Sequence, residues 1–122
     1  MCFLFPEIPS GDKAIGYISS NIVMNMLGLG NAATPFGLKA MGELKRLNNN
    51  SSVASRSMIT FLVINTSSVT IIPTTIISLR LVNGSLNPTD IIPATIITTF
   101  LSTIFALILD RIFYIIWRRK YD

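Results

Sequence analysis

Charges leave long gaps in this chain, and the interruptions inside those gaps define its elements. The first gap lies between Lys13 and Lys39. It predicts a helix from about Asp12 to Leu27, capped by Ser10 or Asp12. Asn21 and Asn25 sit four apart with Gly28 three further on, so one face of that helix is polar or small. Gly28-Leu29-Gly30-Asn31-Ala32-Ala33-Thr34-Pro35 then predicts a break, because two glycines and a proline disfavour continued helix. Helix is expected again from about Pro35, a residue that suits a first turn, to Leu47. Asn48-Asn49-Asn50-Ser51-Ser52 reads as a polar loop.

The second gap, Ser57 to Leu79, lies between Arg56 and Arg80. At about 23 residues it can cross a bilayer with some tilt. Asn65-Thr66-Ser67-Ser68 near its middle and Pro73 beyond predict two half-helices, about Ala54 to Asn65 and Val69 to Leu81, with loosened backbone between. One kinked helix is the alternative. Asn83-Gly84 and Asn87-Pro88 form a turn. The third gap, Ile91 to Leu109, is the strongest span, with helix continuing to Trp117. Thr95, Thr99, Ser102, Ala106 and Asp110 recur at helical spacing and are expected to face other helices. Ile97, Leu101, Ile104 and Ile108 are expected to face lipid.

Composition agrees with a membrane setting. The 122 residues are 50% hydrophobic and only 13% charged, about half the charged share of a soluble domain. The net charge of +4 sits beside apolar runs, which fits membrane topology and argues against nucleic acid. Lys39, Lys45, Arg46 and Arg56 flank the Asn loop, and Arg111, Arg118, Arg119 and Lys120 lie in the tail. By the positive-inside rule both segments are cytoplasmic, the C-terminus included, and the Asn83–Pro88 turn is outside. Tyr114, Trp117 and Tyr121 suit the interface. Lys45, Arg46 and Arg56 are read as setting topology and touching anionic lipid. Met1 to Pro9 reads as a loop or stub and lacks the basic start of a signal peptide. The fold class that follows is all-α: polytopic membrane helices with broken or re-entrant segments.

The chemistry available is narrow. There is no histidine, and Cys2 is the one cysteine. An internal disulfide, a His/Cys metal site and histidine acid–base catalysis are therefore excluded. No nucleophile–base pair is visible, so the chain reads as no enzyme, with no metal and no cofactor. Gly28-Leu29-Gly30 lacks the preceding strand and the third glycine of a dinucleotide loop. Asp110, the one acid in an apolar helical run, is expected to pair locally with Arg111 or Arg118 at the interface. Asp90 and Arg80 read as solvated ends.

The two broken segments are the candidate sites. Lipid cannot satisfy free backbone groups, so a broken helix persists only inside protein or beside water. Several transporter folds bind solutes at such breaks. The candidate substrate-binding residues are Asn25, Gly28, Gly30, Asn31, Thr34, Asn65, Thr66, Ser67, Thr74 and Thr75. Their amides and hydroxyls donate and accept, which suits a small polar, nucleoside-like solute better than a strong anion. The plainer reading is that they satisfy one another where helices meet.

Asn25-Met26-Leu27-Gly28-Leu29-Gly30-Asn31-Ala32-Ala33-Thr34-Pro35-Phe36-Gly37-Leu38-Lys39-Ala40-Met41 resembles the signature of the spore maturation protein A family. Ala54 to Leu62, Ile64 to Ser68, Ile72-Pro73-Thr74-Thr75, the Asn87-Pro88 turn and the opening Leu4 to Pro9 are similar too. The resemblance runs nearly end to end. It implies a multi-pass protein of the cell membrane of an endospore-forming bacterium, with one nucleoside-recognition (gate) domain over residues 1–122. It implies a role in dehydration of the spore core and heat resistance, with spore maturation protein B as companion. Family members carry hydrophobic segments before the Phe-Pro-Glu stretch, so the chain is expected to be the C-terminal part, truncated at its N-terminus. A non-transporting assembly subunit and a nonfunctional fragment are the competing expectations.

Overall fold

A computed structural model describes the backbone of residues 4–121 and the side chains of residues 4–117. Cys2 and the side chains of Arg118, Arg119, Lys120 and Tyr121 lie outside the described residues. Within them the fold is all-helical: α1 (Lys13–Met26), α2 (Gly30–Leu47), α3 (Arg56–Ser67), α4 (Thr74–Val82) and α5 (Ile92–Tyr121).

Helices α1 and α2 form an antiparallel hairpin. Asp12 caps α1, its carboxylate accepting the Ala14 N–H at 2.9 Å. The other carboxylate oxygen accepts from Arg46 at 2.9 Å, which fastens the start of α1 to the end of α2. Arg46 also donates to Glu43 at 2.6 Å. Its guanidinium is thus engaged within the chain.

The link between the two helices is shorter than expected. Helix α2 begins at Gly30, not Pro35, and Pro35 lies inside it. Gly28 takes a left-handed φ of +69°. That closes α1 with N–H bonds from Leu27 to the Val23 carbonyl and from Leu29 to the Met24 carbonyl. The Ala33 N–H then reaches the Leu29 carbonyl at 2.9 Å and starts α2. Pro35 withholds only the bond that would reach Asn31 four residues back, and the helix tolerates that loss so near its start.

The second gap contains two helices. The break sits later than expected, because Thr66 and Ser67 return their hydroxyls to the Leu62 and Val63 carbonyls at 2.8 and 2.7 Å and stay helical. Ser55 caps α3, accepting from the Met58 N–H at 3.3 Å. Glu7 adds a cap from outside, taking the Ser57 N–H at 3.2 Å and its hydroxyl at 2.9 Å. A carboxylate at a helix N-terminus is favoured by the unpaired N–H groups and the dipole there. The opening segment is therefore part of the core rather than a stub. Phe5 and Ile8 pack with Ala14, Ile18, Ala40, Leu44, Phe61 and Ile64. Ala14 and Ala40 are fully buried, so α1 and α2 approach closely where side chains are smallest.

Helix α5 runs antiparallel to α3. Thr103 donates to the Ser67 carbonyl at 2.6 Å, and Thr99 accepts the Thr70 N–H at 3.1 Å. Ser102, expected on this face, is exposed, and Thr103 stands there instead. Ile97, Leu101, Ile104 and Ile108 are exposed as expected. The stretch Ile92–Trp117 is long and apolar enough to cross a membrane, and α5 is the one helix of that kind among the described residues. Its 30 residues span about 45 Å at about 1.5 Å each.

Two expectations follow. A Cβ added at Gly28 would lie 2.5 Å from the Ile72 carbonyl oxygen, whereas one at Gly16 meets nothing within 4 Å. Gly28→Ala should cost roughly 1–3 kcal/mol from the left-handed backbone alone, and more from the clash. Gly16→Ala should be neutral or stabilising by up to about 1 kcal/mol. Thermal unfolding in detergent reads both. The Ala14 N–H and the Arg46 guanidinium hold the Asp12 carboxyl below its ordinary value of 3.8. A pKa depressed by folding adds stability that is complete above the unfolded value and lost as pH falls through the folded one. The hairpin should therefore loosen as pH drops below 3.8, while Asp12→Asn, still a good cap, should show no such acid step.

Candidate functional site

The two breaks meet. Ile71 and Ile72 both donate their N–H to the Met26 carbonyl, at 2.8 and 3.1 Å. Thr74 donates to the Leu27 carbonyl at 3.1 Å, and Thr75 to that of Gly28 at 3.1 Å. The carbonyls released at the end of α1 are thus satisfied by groups released between α3 and α4. Gly28 is required for this approach, since any side chain would strike the backbone at Ile72, Pro73 and Thr74.

Beneath this junction runs a chain of amides. Asn21 is 1% exposed and donates to the Ala33 carbonyl at 2.9 Å. Its oxygen accepts from Asn25 at 3.3 Å, and Asn25 donates again to the Asn65 oxygen at 2.7 Å. Both hydrogens of the Asn25 amide are used, and its oxygen has no partner among the described residues. Gly37 makes room for this row: a Cβ there would lie 2.9 Å from the Asn21 amide nitrogen.

A cleft of about 340 Å³ opens beside the junction, lined by Asn25, Gly28, Gly30, Ser68, Thr70, Pro73, Thr75, Ile76, Ile91 and Thr95. No charged side chain lines it. The N-termini of α2 and α4 border it, and neither has a side-chain cap. Its chemistry is that of neutral donors and acceptors on an apolar floor.

Among proteins of known role, spore maturation protein A of Bacillus subtilis (strain 168) is 56% identical to this chain over 117 residues, 96% of the chain. The chain is homologous to spore maturation protein A. It spans 59% of the length of that relative. No family model and no solved structure matches it significantly.

This homologue of spore maturation protein A gathers only part of the expected site. Asn25, Gly28, Gly30 and Thr75 line the cleft, Thr74 closes the junction and Asn65 holds Asn25. Asn31 and Thr34 do not join them. Both are exposed on the first turns of α2, and Thr34 returns its hydroxyl to the Gly30 carbonyl at 3.1 Å. Thr66 and Ser67 also fall away, because the helix runs through them. Ser68, Thr70, Ile76 and Ile91 were not among the candidate binding residues, and the buried Asn21 was expected only on the polar face of α1. The hydroxyls of Ser68 and Thr70 ahead of Pro73 were the available signal, and the Thr95–Thr99 stripe was a second.

The structure gives Asp110 a partner outside its own helix. Asp110 pairs with Arg56 across α3 and α5 at 3.1 Å, with Thr60 at 3.4 Å. The Arg56 guanidinium lies 3.8 Å above the Tyr114 ring. Arg80 and Asp90, expected as solvated ends, are partly exposed and pair at 2.8 Å.

If the amide row is a working unit, Asn25→Ala and Asn65→Ala should not add. A double-mutant cycle on unfolding should return a coupling of about 0.5–1.5 kcal/mol. Asn21→Ala should cost more, roughly 1–3 kcal/mol, because it empties a fully buried site and takes the acceptor from one hydrogen of the Asn25 amide.

Proposed function

We propose that this is an integral membrane sporulation protein whose cleft between the two helix breaks recognises a small neutral polar solute. The observation that carries the reading is the cleft itself, which has amide, hydroxyl and helix-terminal groups but no charge. A volume of about 340 Å³ falls within the range of small-molecule sites. A nucleoside-like molecule has the matching chemistry: neutral, planar in part, rich in donors and acceptors. The name of the relative connects that protein with spore maturation, and we extend that role to this chain, with dehydration of the spore core and heat resistance as its outcome. On this reading α5 crosses the cell membrane, and the α3–α4 pair crosses as a broken span with the C-terminus cytoplasmic. Residues 1–122 then make one gate-like domain, the C-terminal part of the family protein, with spore maturation protein B as companion.

A second reading is favoured by one observation. Thr74 and Thr75 have their hydroxyls engaged by the Leu27 and Gly28 carbonyls. Groups so committed serve assembly of the fold, and a non-transporting interaction subunit would need nothing more.

Complementation tests the solute reading. The chain is expressed in a sporulating strain lacking spore maturation protein A, and spore core density is measured. Solute recognition expects restored density that Asn25→Ala lowers and Asn31→Ala leaves alone. Density unchanged by Asn25→Ala, with the variant confirmed in the membrane, would overturn the solute reading.

A further inference from the structure

Among the described residues α4 packs against no other helix, and none of its own residues is buried. Ile76, Leu79, Leu81 and Val82 all stand exposed. A short helix draws most of its stability from packing, and α4 has little. Few buried contacts mark a segment of low local stability, the kind from which lids over binding sites are drawn. Thr75 and Ile76 of α4 nevertheless line the cleft, together with Ile91 and Thr95. The separation of α4 from α5 therefore sets the width of the cleft.

What holds α4 lies at its two ends. At the first, Thr74 and Thr75 donate to the Leu27 and Gly28 carbonyls, and Pro73 is buried. At the second, Nη2 of Arg80 reaches Asp90 at 2.8 Å, the Asn87 carbonyl at 3.3 Å and the Ser85 hydroxyl at 3.4 Å. Asp90 stands just before α5, so this contact ties the last turn of α4 to the start of α5. The two ends differ in strength. The first is part of the junction between the breaks. The second is an ion pair with both side chains partly open to solvent, and such pairs contribute little. Arg80 Nε is shut away from solvent with no partner among the described residues, a cost that release of the contact would remove.

We propose that α4 is a movable wall of the cleft, pivoting at Thr74 and Thr75 and latched to α5 by Arg80 and Asp90. Residues 83–91 contain no helix and include Gly84 at a φ of +75°, which gives the latched end slack. With the latch made, α4 is held at the separation seen here. With it released, α4 swings on its first turn and the cleft widens between Ile76 and Thr95. A solute that touches both walls favours the latched state by its differential contacts. As a control of access the proposal rests on the solute reading, whereas the motion rests on the contacts of α4 alone.

Spin-label distances in the full chain, held in nanodiscs with Cys2 replaced by Ser, test the motion. One label pair, at Leu79→Cys and Ile108→Cys, measures α4 against α5. A second, at Leu38→Cys and Ile108→Cys, measures α2 against α5 and checks the fold. All three positions are exposed. Asp90→Asn should raise the displaced population in the first pair about two- to fivefold, the reach of an exposed ion pair, and leave the second pair unchanged. Arg80→Gln should do the same. Adenosine, as a neutral probe, should shift the first pair back toward the latched distance. A first pair unchanged by both substitutions would overturn the movable wall, and so would a change in both pairs alike. A latch-dependent change to which adenosine is indifferent supports the wall and counts against solute recognition.

Discussion

Everything in this fold hangs on the place where two helix breaks touch. A break frees backbone N–H and C=O groups, and each such group left without a partner away from water costs about 1–3 kcal/mol. Here the Met26, Leu27 and Gly28 carbonyls take donors from Ile71, Ile72, Thr74 and Thr75. Neither break satisfies all its own groups, and together they need little else. That dependence fixes Gly28, whose missing side chain and left-handed backbone permit the contact.

The amide row and the small residues beside it serve the same end. Asn21, Asn25 and Asn65 bridge α1 and α3, with Gly37 of α2 leaving them space. Each hydrogen bond contributes only about 0.5–1.5 kcal/mol net, so the row adds less stability than the apolar core of Phe5, Ile18, Leu44 and Phe61. It adds direction instead. An amide fixes the rotation of α3 against the hairpin, since a small turn of either helix would strand a buried polar group. Asn25 belongs both to this row and to the lining of the cleft.

Helix existence was legible because gaps in charge, caps and breakers speak locally. Asp12 and the Asn83-Gly84 turn each act through neighbours a few residues away, and the helix ends they set are close to where they were expected. The start of α2 was misread because Pro35 was weighed as a first-turn residue, while Gly28 had already completed the reversal. Thr66 and Ser67 were misread as breakers because their hydroxyls can serve either a helix or a loop, and the choice depends on the carbonyls at hand. Glu7 on α3 and Asp110 on Arg56 were beyond reach of a local reading: their partners lie 50 and 54 residues away. The cleft was half legible for the same reason. Asn25, Gly28 and Thr75 carry a visible break signature, whereas Ile76 and Ile91 join it only through tertiary packing.

The junction also separates two roles that charge could confuse. Guanidinium and carboxylate groups gather at Asp12–Arg46 and at Arg56–Asp110, away from the cleft, where they hold helix ends together. The cleft is left neutral. The most direct test of the account is proximity of the two breaks in the native membrane. In a background with Cys2 replaced by Ser, cysteines at Asn25 and Asn65 are exposed to a short thiol cross-linker, with a pair at Asn31 and Asn65 for comparison. The account expects rapid intramolecular cross-linking of the first pair and little of the second. No cross-link between Asn25 and Asn65 positions, or equal yields from both pairs, would mean that the breaks do not meet and that the shared cleft does not exist.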